Sequence, residues 1–236
     1  MRRCSSFTLS IFLLFASYSL VFAAKDELPE VTEDGLHRVH ESKAAIVYAE
    51  PGATLADYDS VMLLEAHVAF QKNWERNQRT KSVTSNRIRS SDIEKIKNNL
   101  AREFDAIFTQ TLEEGGYPVV DHAGETVLLI RPAIINLDIT APDTPSASFT
   151  RNYISSAGEM TLYLEIYDSV TGDLIAKAMD RKTDNTHANF YTWSNSSTNK
   201  AAAVRILKGW SEILLAALNE AKTQEESETW ITPAID

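Results

Sequence analysis

The spacing of apolar positions along the chain predicts two amphipathic helices. The first begins near Ser91, where Glu94 three residues later completes a capping-box pattern, and it ends at Gly115–Gly116. Its apolar positions form one helical stripe, consisting of Ile93, Ile96, Leu100, Phe104, Ile107 and Leu112. The second helix is predicted over residues 201–221, with a stripe of Val204, Leu207, Trp210, Leu214, Leu218 and Ala221.

Several segments have the apolar content and alternation of strands. Residues 58–70 have the length of one strand. Residues 126–140 are apolar on both faces, which predicts a central strand, and Pro132 must lie at a bulge or beside a gap in pairing because it has no N–H to donate. Residues 159–181 predict a hairpin whose turn requires a positive φ at Gly172.

These elements predict an α+β fold, a single domain in which a mostly antiparallel sheet is packed by two amphipathic helices. Polar stretches between the elements, including residues 72–89, are expected to be loops. The chain divides into four parts: residues 1–23 as a signal peptide, 24–43 as a polar N-terminal arm, 44–222 as the single α+β domain, and 223–236 as an acidic C-terminal tail.

The first residues have the layout of a secretory signal peptide. Arg2 and Arg3 precede an apolar run over residues 7–22, and small residues follow, so cleavage is expected after Ala23. An uncleaved anchor is the alternative, although the run is short and rich in serine for a membrane span. Cleavage removes Cys4, the single cysteine, and leaves no transmembrane span. We therefore expect a periplasmic or secreted protein without a lipobox cysteine.

Charge narrows the choice of partners. The 236 residues carry a formal charge of -10, which becomes -12 when the loss of two arginines takes Lys+Arg from 23 to 21 against 33 Asp+Glu. This acidity argues against nucleic acid as a partner. One basic run with Trp74 inside it is the exception: Lys72, Arg76, Arg79, Lys81, Arg87 and Arg89. It predicts contact with phospholipid headgroups, lipopolysaccharide phosphate or an acidic envelope protein, unless it is a solvated loop.

Two further groups of residues are candidates for binding. Arg131 lies among apolar positions of the predicted central strand, and a buried arginine requires a carboxylate partner or a bound anion, of which the internal ion pair is favoured. Tyr163, Glu165 and Tyr167 share one face of the predicted hairpin. That face is either a partner surface or is covered by the chain's own loops.

The sequence contains no motif that specifies catalysis. His37 and His40 have metal-like spacing but lie in a polar arm without further ligands, so neither a metal nor a cofactor is predicted. Aspartates at strand ends could form an acid–base pair or a Ca²⁺ site, although turn chemistry is their commoner role: Asp138, Asp168, Asp173 and Asp180. We therefore predict a non-enzymatic binding or accessory module, with a periplasmic hydrolase or metal-dependent enzyme using these aspartates as the alternative.

The hairpin sequence carries a family resemblance. GEMTLYLEIYDS at residues 158–169, then TGDL at 171–174 and Asp180-Arg181, resemble the most characteristic stretch of a Gram-negative bacterial family, domain of unknown function 3313. GYPVVD at residues 116–121, APD at 141–143 and the late helix with Trp210 extend it over roughly residues 58–218. The resemblance implies an exported envelope protein with no assigned activity. Many relatives are lipoproteins, but this chain lacks a cysteine at the end of its signal, which favours a soluble periplasmic protein.

Overall fold

The computed structural model describes residues 28–81, 89–139, 153–154, 158–183, 192–193 and 196–231. Within these ranges the chain forms, in order, β1 (His37–Val39), β2 (Ile46–Ala49), β3 (Ser60–Leu63), β4 (His67–Phe70), α1 (Trp74–Lys81), α2 (Ser90–Glu114), β5 (Val127–Ile139), β6 (Tyr153–Ile154), β7 (Gly158–Asp168), β8 (Leu174–Thr183), β9 (Thr192–Trp193) and α3 (Ser196–Ile231). The predicted signal peptide lies outside the described residues. None of the helices in these ranges combines the length and the apolar character that a membrane span needs.

One mixed sheet forms the centre of the fold. Its strands follow the order β1-β2-β8-β7-β5-β3, and β4 also pairs with β5. The pairs from β1 to β5 along this path are antiparallel, whereas β3 and β4 run parallel to β5. The α+β class is therefore confirmed, and the sheet is mixed because β3 and β4 reach β5 only through long connections, as parallel neighbours must.

Pro132 lies where the pairing of β5 changes from one neighbour to the next. β3 pairs with β5 as far as Ile130, and β4 begins opposite Ala133. The proline therefore lies beside a gap, as its missing N–H predicts. The segment over residues 58–70, predicted as one strand, is consequently two strands with an interruption at residues 64–66.

The helices α2 and α3 cover one face of the sheet and bury the main core. The predicted stripes supply much of it, including Leu100, Phe104, Leu207 and Trp210. Phe108 was missed by the stripe, yet it is fully buried and stacks on Phe104 with 3.9 Å between ring centroids. The two helices also contact each other directly.

The ends of the helices agree in part with the prediction. At the end of α2, Gly116 adopts φ +88, the left-handed conformation expected there. At its start the predicted cap is wrong, because the helix begins at Ser90 and the carboxylate of Asp92 accepts the backbone N–H of Arg89 at 3.1 Å. The helix α3 extends beyond the predicted range at both ends, to Ser196 and Ile231.

Two short elements were not expected from the sequence. Residues 74–81, predicted as loop, form α1, which has no apolar stripe because Trp74 is its one buried residue among those whose side chains are described. Within the predicted polar arm, residues 37–39 form β1 and pair with β2, and Leu36 is only 2% exposed. Part of that arm is therefore integrated into the sheet.

Candidate functional site

A cavity of about 660 Å³ lies where the end of β4 meets α1 and the first turns of α2. This volume is within the range of small-molecule sites in proteins. Its walls include aromatic, aliphatic and charged side chains, among them Phe70, Trp74, Ile93, the cations Arg76 and Lys97, and one carboxylate, Glu75. We call it the Trp74 cavity.

The chain reaches this cavity through a tight strand-to-helix turn. After β4, the N–H of Gln71 donates to the carbonyl of Leu137 at 3.0 Å, and the N–H of Trp74 donates back to the carbonyl of Gln71 at 2.9 Å. Between them Asn73 has φ 66, and its carbonyl accepts the N–H of Asn77 to open α1. Asparagine is one of the few residues that adopts this left-handed conformation at modest cost.

Trp74 forms the inner wall of the cavity. Its side chain is 3% exposed, and its ring stacks on Phe70 with centroids 4.1 Å apart. The same small cluster contains buried Ile93 from α2. The indole Nε1 is buried and has no hydrogen-bond partner among the described residues, a condition that costs about 1–3 kcal/mol for a polar group removed from water.

Cationic side chains flank this apolar wall. Arg76 is exposed on α1, and Lys97 reaches the cavity from α2. The Lys97 ammonium lies 2.9 Å from Oε1 of Glu94, one turn earlier on the same helix. Lys97 lies outside the predicted basic run, although its spacing of four residues from Ile93 places both on one face of α2.

The structure gathers only part of the predicted basic run at the cavity. Trp74 and Arg76 line it, whereas Lys72 and Arg89 are exposed and are not among its lining residues. Two further members, Arg79 and Lys81, lie in α1, but their side chains are outside the described residues. Arg87 is outside the described residues altogether. Trp74 is buried against Phe70, so its ring lines the cavity and is not exposed beside the basic side chains of this run.

Arg131 is exposed, contrary to the sequence-based expectation. Its side chain is 66% exposed, and its Nη1 lies 3.3 Å from Oε2 of Glu165. The expected internal ion pair is therefore present at the surface. Burial was wrongly inferred because the apolar neighbours Leu129 and Ala133 lie on the sheet face opposite to the buried Leu128 and Ile130.

The opposite sheet face carries a cluster centred on Glu165. Its two carboxylate oxygens accept the hydroxyl groups of Tyr163 and Tyr167, each at 2.9 Å. Burial, and then hydrogen bonding to this carboxylate, raises the pKa of both tyrosines. In register on either side of Glu165 lie Arg131 on β5 and Lys177 on β8. The two tyrosine hydroxyl groups, Arg131 and Glu165 are thus partners of one another, whereas Lys177 pairs with Asp34.

Two of the four strand-end aspartates, Asp168 and Asp180, have structural roles. Asp168 accepts the backbone N–H groups of Val170 and Thr171 at 2.8 and 2.7 Å, and these bonds, the Thr171 bond first, hold its pKa below the usual range. Asp180 is buried and accepts the indole N–H of Trp210 at 2.8 Å. In the part of the chain that the structure describes, His, Cys, Asp and Glu side chains nowhere form a group of three or more suited to a metal ion.

A family model described as a protein of unknown function, DUF3313, matches residues 30–213. The chain belongs to the DUF3313 family. The matched DUF3313 region includes β1 to β5, β7, β8, α2 and the Trp74 cavity, and it ends within α3. It also contains the hairpin and the Asp180–Trp210 hydrogen bond.

Two solved structures are similar to this DUF3313 chain at low sequence identity. The PelC dodecamer from Paraburkholderia phytofirmans is 14% identical, with 69% of this chain and 94% of that chain covered and a TM-score of 0.32. A homolog of neuraminyllactose-binding hemagglutinin from Helicobacter pylori is 13% identical, with 73% and 91% covered and a TM-score of 0.36. No curated protein sequence matches the chain. These low TM-scores support no functional conclusion.

Proposed function

We propose that this DUF3313 protein is an exported, non-enzymatic binding module that holds an anionic component of the cell envelope at the Trp74 cavity. The observation that carries the proposal is the convergence of Arg76 from α1 and Lys97 from α2 on one cavity with an aromatic wall. Cationic groups beside a concave apolar surface are suited to a ligand that has both an anionic group and apolar bulk.

The charge distribution supports an anionic ligand. The chain as a whole carries a formal charge of -10, so its general field repels anions. Positive charge is concentrated in the sequence over residues 72–89, the segment that contributes Trp74 and Arg76 to the cavity wall. A local basic patch on an acidic protein favours binding at one place over general adsorption, because screening at physiological salt limits each charge to about 8 Å.

Export is the second part of the proposal and is supported by the sequence. Residues 1–23 have the charged, apolar and small-residue regions of a signal peptide, with cleavage expected after Ala23. A protein released into the periplasm encounters phospholipid headgroups and lipopolysaccharide phosphates. Both present the anionic groups that Arg76 and Lys97 would contact.

Sedimentation with membranes tests the proposed ligand. Protein comprising residues 24–236 is mixed with vesicles of neutral phosphatidylcholine, with vesicles that contain phosphatidylglycerol, and with lipopolysaccharide. We expect binding to at least one anionic surface and at least tenfold weaker binding to the neutral one, because about 1 kcal/mol is available per cation near such a surface. Equal binding to neutral vesicles, or none to either anionic surface, would contradict the proposal.

Matched variants locate the contact. Arg76→Glu and Lys97→Glu reverse charges at the cavity, and Lys95→Glu reverses an exposed charge on the same helix away from the lining residues. We expect the first two to weaken anionic binding about five- to tenfold each and the third to change it by less than twofold. A similar effect of all three variants would indicate unspecific charge attraction and would remove the cavity from the proposal.

A further inference from the structure

We infer that the Trp74 cavity takes a single-chain anionic amphiphile, whose head group accepts a hydrogen bond from Trp74 Nε1 and whose alkyl chain packs along Phe70 and Ile93. This inference rests on the proposed function and names the ligand class. Its starting point is the unpaired indole nitrogen, because buried polar groups in proteins are nearly always hydrogen-bonded. A ligand oxygen supplies the acceptor that the described part of the chain does not offer.

The surroundings of Nε1 define the rest of the ligand. The charged side chains that line the cavity are Arg76, Lys97 and Glu75, two cations against one carboxylate, and this excess of positive charge favours an anionic oxygen of a carboxylate or a phosphate as the acceptor. A volume of about 660 Å³ exceeds what such a head group fills alone. The stacked rings of Phe70 and Trp74, with Ile93, offer an apolar wall to the remaining part. One alkyl chain satisfies both the volume and the wall.

The indole nitrogen itself is covered in the free protein. Nε1 is a buried atom, so the head group reaches it only when the side chains around it move. Ligand binding therefore changes the environment of Trp74 itself.

Titration followed by NMR tests the inference. Residues 24–236, labelled with ¹⁵N, are titrated with decyl phosphate and decanoate below their critical micelle concentrations, and the indole N–H signals are followed. The chain contains four tryptophans, and Trp74→Phe assigns the signal of interest by its disappearance. We expect that signal to move and saturate with at least one probe. A shift with decyl phosphate but not with decanoate indicates a phosphate head group. A shift with decanoate but not with decyl phosphate indicates a carboxylate.

Two further probes separate charge from chain. Decyl maltoside has the same chain without charge, and butyl phosphate has the charge with a short chain. Each should bind at least tenfold more weakly than the better decyl anion. Equal binding of decyl maltoside, equal binding of butyl phosphate, or an unmoved Trp74 signal at saturation would overturn the inference.

Variants complete the test. Trp74→Phe keeps an aromatic ring against Phe70 and removes the donor, and we expect about tenfold weaker binding of the anion. If Trp74→Phe fails to fold, Lys97→Met replaces it in the test, because the Lys97 side chain is 30% exposed. Lys97→Met should weaken binding of the anion about fivefold, and the control Lys95→Met should leave it unchanged. Equal binding by Lys97→Met and Lys95→Met would also overturn it. If the protein binds anionic vesicles but neither decyl anion, this inference alone is contradicted. If it binds a decyl anion but no anionic surface, the proposed function is contradicted.

Discussion

The side chain of Asp180 joins three parts of the fold through one buried carboxylate. Its Oδ2 accepts the indole N–H of Trp210 at 2.8 Å and lies 3.0 Å from the ammonium of Lys182. Its Oδ1 accepts the backbone N–H of Ala45 at 3.2 Å. The carboxylate thus connects β8 to α3 and to the residue that precedes β2. Both Asp180 and Trp210 belong to the residues that carry the family resemblance, so this bond gives their presence a physical reason.

Replacement of Asp180 by alanine is expected to destabilise the protein strongly. Asp180→Ala leaves the N–H groups of Trp210 and Ala45 without their acceptor, and we expect the free energy of unfolding to fall by about 2–4 kcal/mol. Urea denaturation followed by circular dichroism measures the change. In a double-mutant cycle with Trp210→Phe, we expect a coupling energy of about 1–2 kcal/mol. Additive effects of the two substitutions would show that the hydrogen bond contributes little.

Tyr58 makes stability depend on pH at alkaline values. Its hydroxyl donates to Oδ2 of Asp168 at 2.9 Å, and burial followed by this hydrogen bond raises the pKa of Tyr58 to about 12. The unfolded tyrosine ionises near 10. Above pH 10 the unfolded chain therefore loses a proton that the folded chain keeps, so the contribution of Tyr58 is complete below pH 10 and is lost as the pH rises to about 12.

Comparison with Tyr58→Phe isolates this contribution. At pH 8 we expect the variant to be less stable by about 1 kcal/mol, because one partly buried hydrogen bond is lost. Between pH 10 and about 12 the difference between the two proteins should shrink, since phenylalanine has no proton to lose. Urea midpoints collected at intervals from pH 8 to 11.5 measure it. A constant difference over that range would contradict the assignment.

Among the elements, β7 depends on a glycine at its first residue. Gly158 has φ 154, and a Cβ at this position would lie 2.5 Å from the backbone carbonyl oxygen of Asp138 on the paired β5. A backbone atom in a central strand cannot move aside easily, so we expect Gly158→Ala to lower the free energy of unfolding by about 1–3 kcal/mol.

Gly209 in α3 provides the matched control for that substitution. A Cβ there would meet nothing within 4 Å, and the residue has ordinary helical backbone. Gly209→Ala should therefore stabilise the protein by about 0.5–1 kcal/mol, because alanine favours the helix over glycine. Thermal melts of the two variants under one condition give the comparison. The same sign for both would mean that the close approach to Asp138 does not govern Gly158.

The elements also differ in how far the sequence could predict them. Residues 90–114 carry a stripe of period 3.6 long enough to identify α2 before any packing is known. The eight residues of α1 carry no such signal, because the one buried anchor among its described side chains, Trp74, acquires its meaning only from Phe70 and Ile93. The cavity could not be predicted for the same reason, because Lys97 belongs to α2 whereas Trp74 belongs to α1. What remained unpredicted therefore depends on contacts distant in sequence.

In the molecule as a whole, the two faces of the sheet are covered by different parts of the chain. The helices α2 and α3 bury one face, and the segment before β1 lies against part of the other. There the hydroxyl of Tyr48 donates to the carbonyl of Pro29 at 2.8 Å, and Lys177 pairs with Asp34. The folded domain thus includes residues from at least Pro29 onward. Few residues separate this anchored segment from the predicted cleavage site after Ala23.

Export predicts a chemical difference between the precursor and the mature protein. Cleavage after Ala23 removes Cys4, the single cysteine, together with Arg2 and Arg3. Protein recovered from the periplasm of a Gram-negative host should therefore begin at Ala24, show no thiol that reacts with Ellman's reagent in denaturant, and have the intact mass of residues 24–236. One reactive thiol per chain and a precursor mass in the membrane fraction would instead indicate a retained anchor. That outcome would hold the Trp74 cavity close to the bilayer, so anionic lipid would remain its nearest source of ligand while the soluble periplasmic location was excluded.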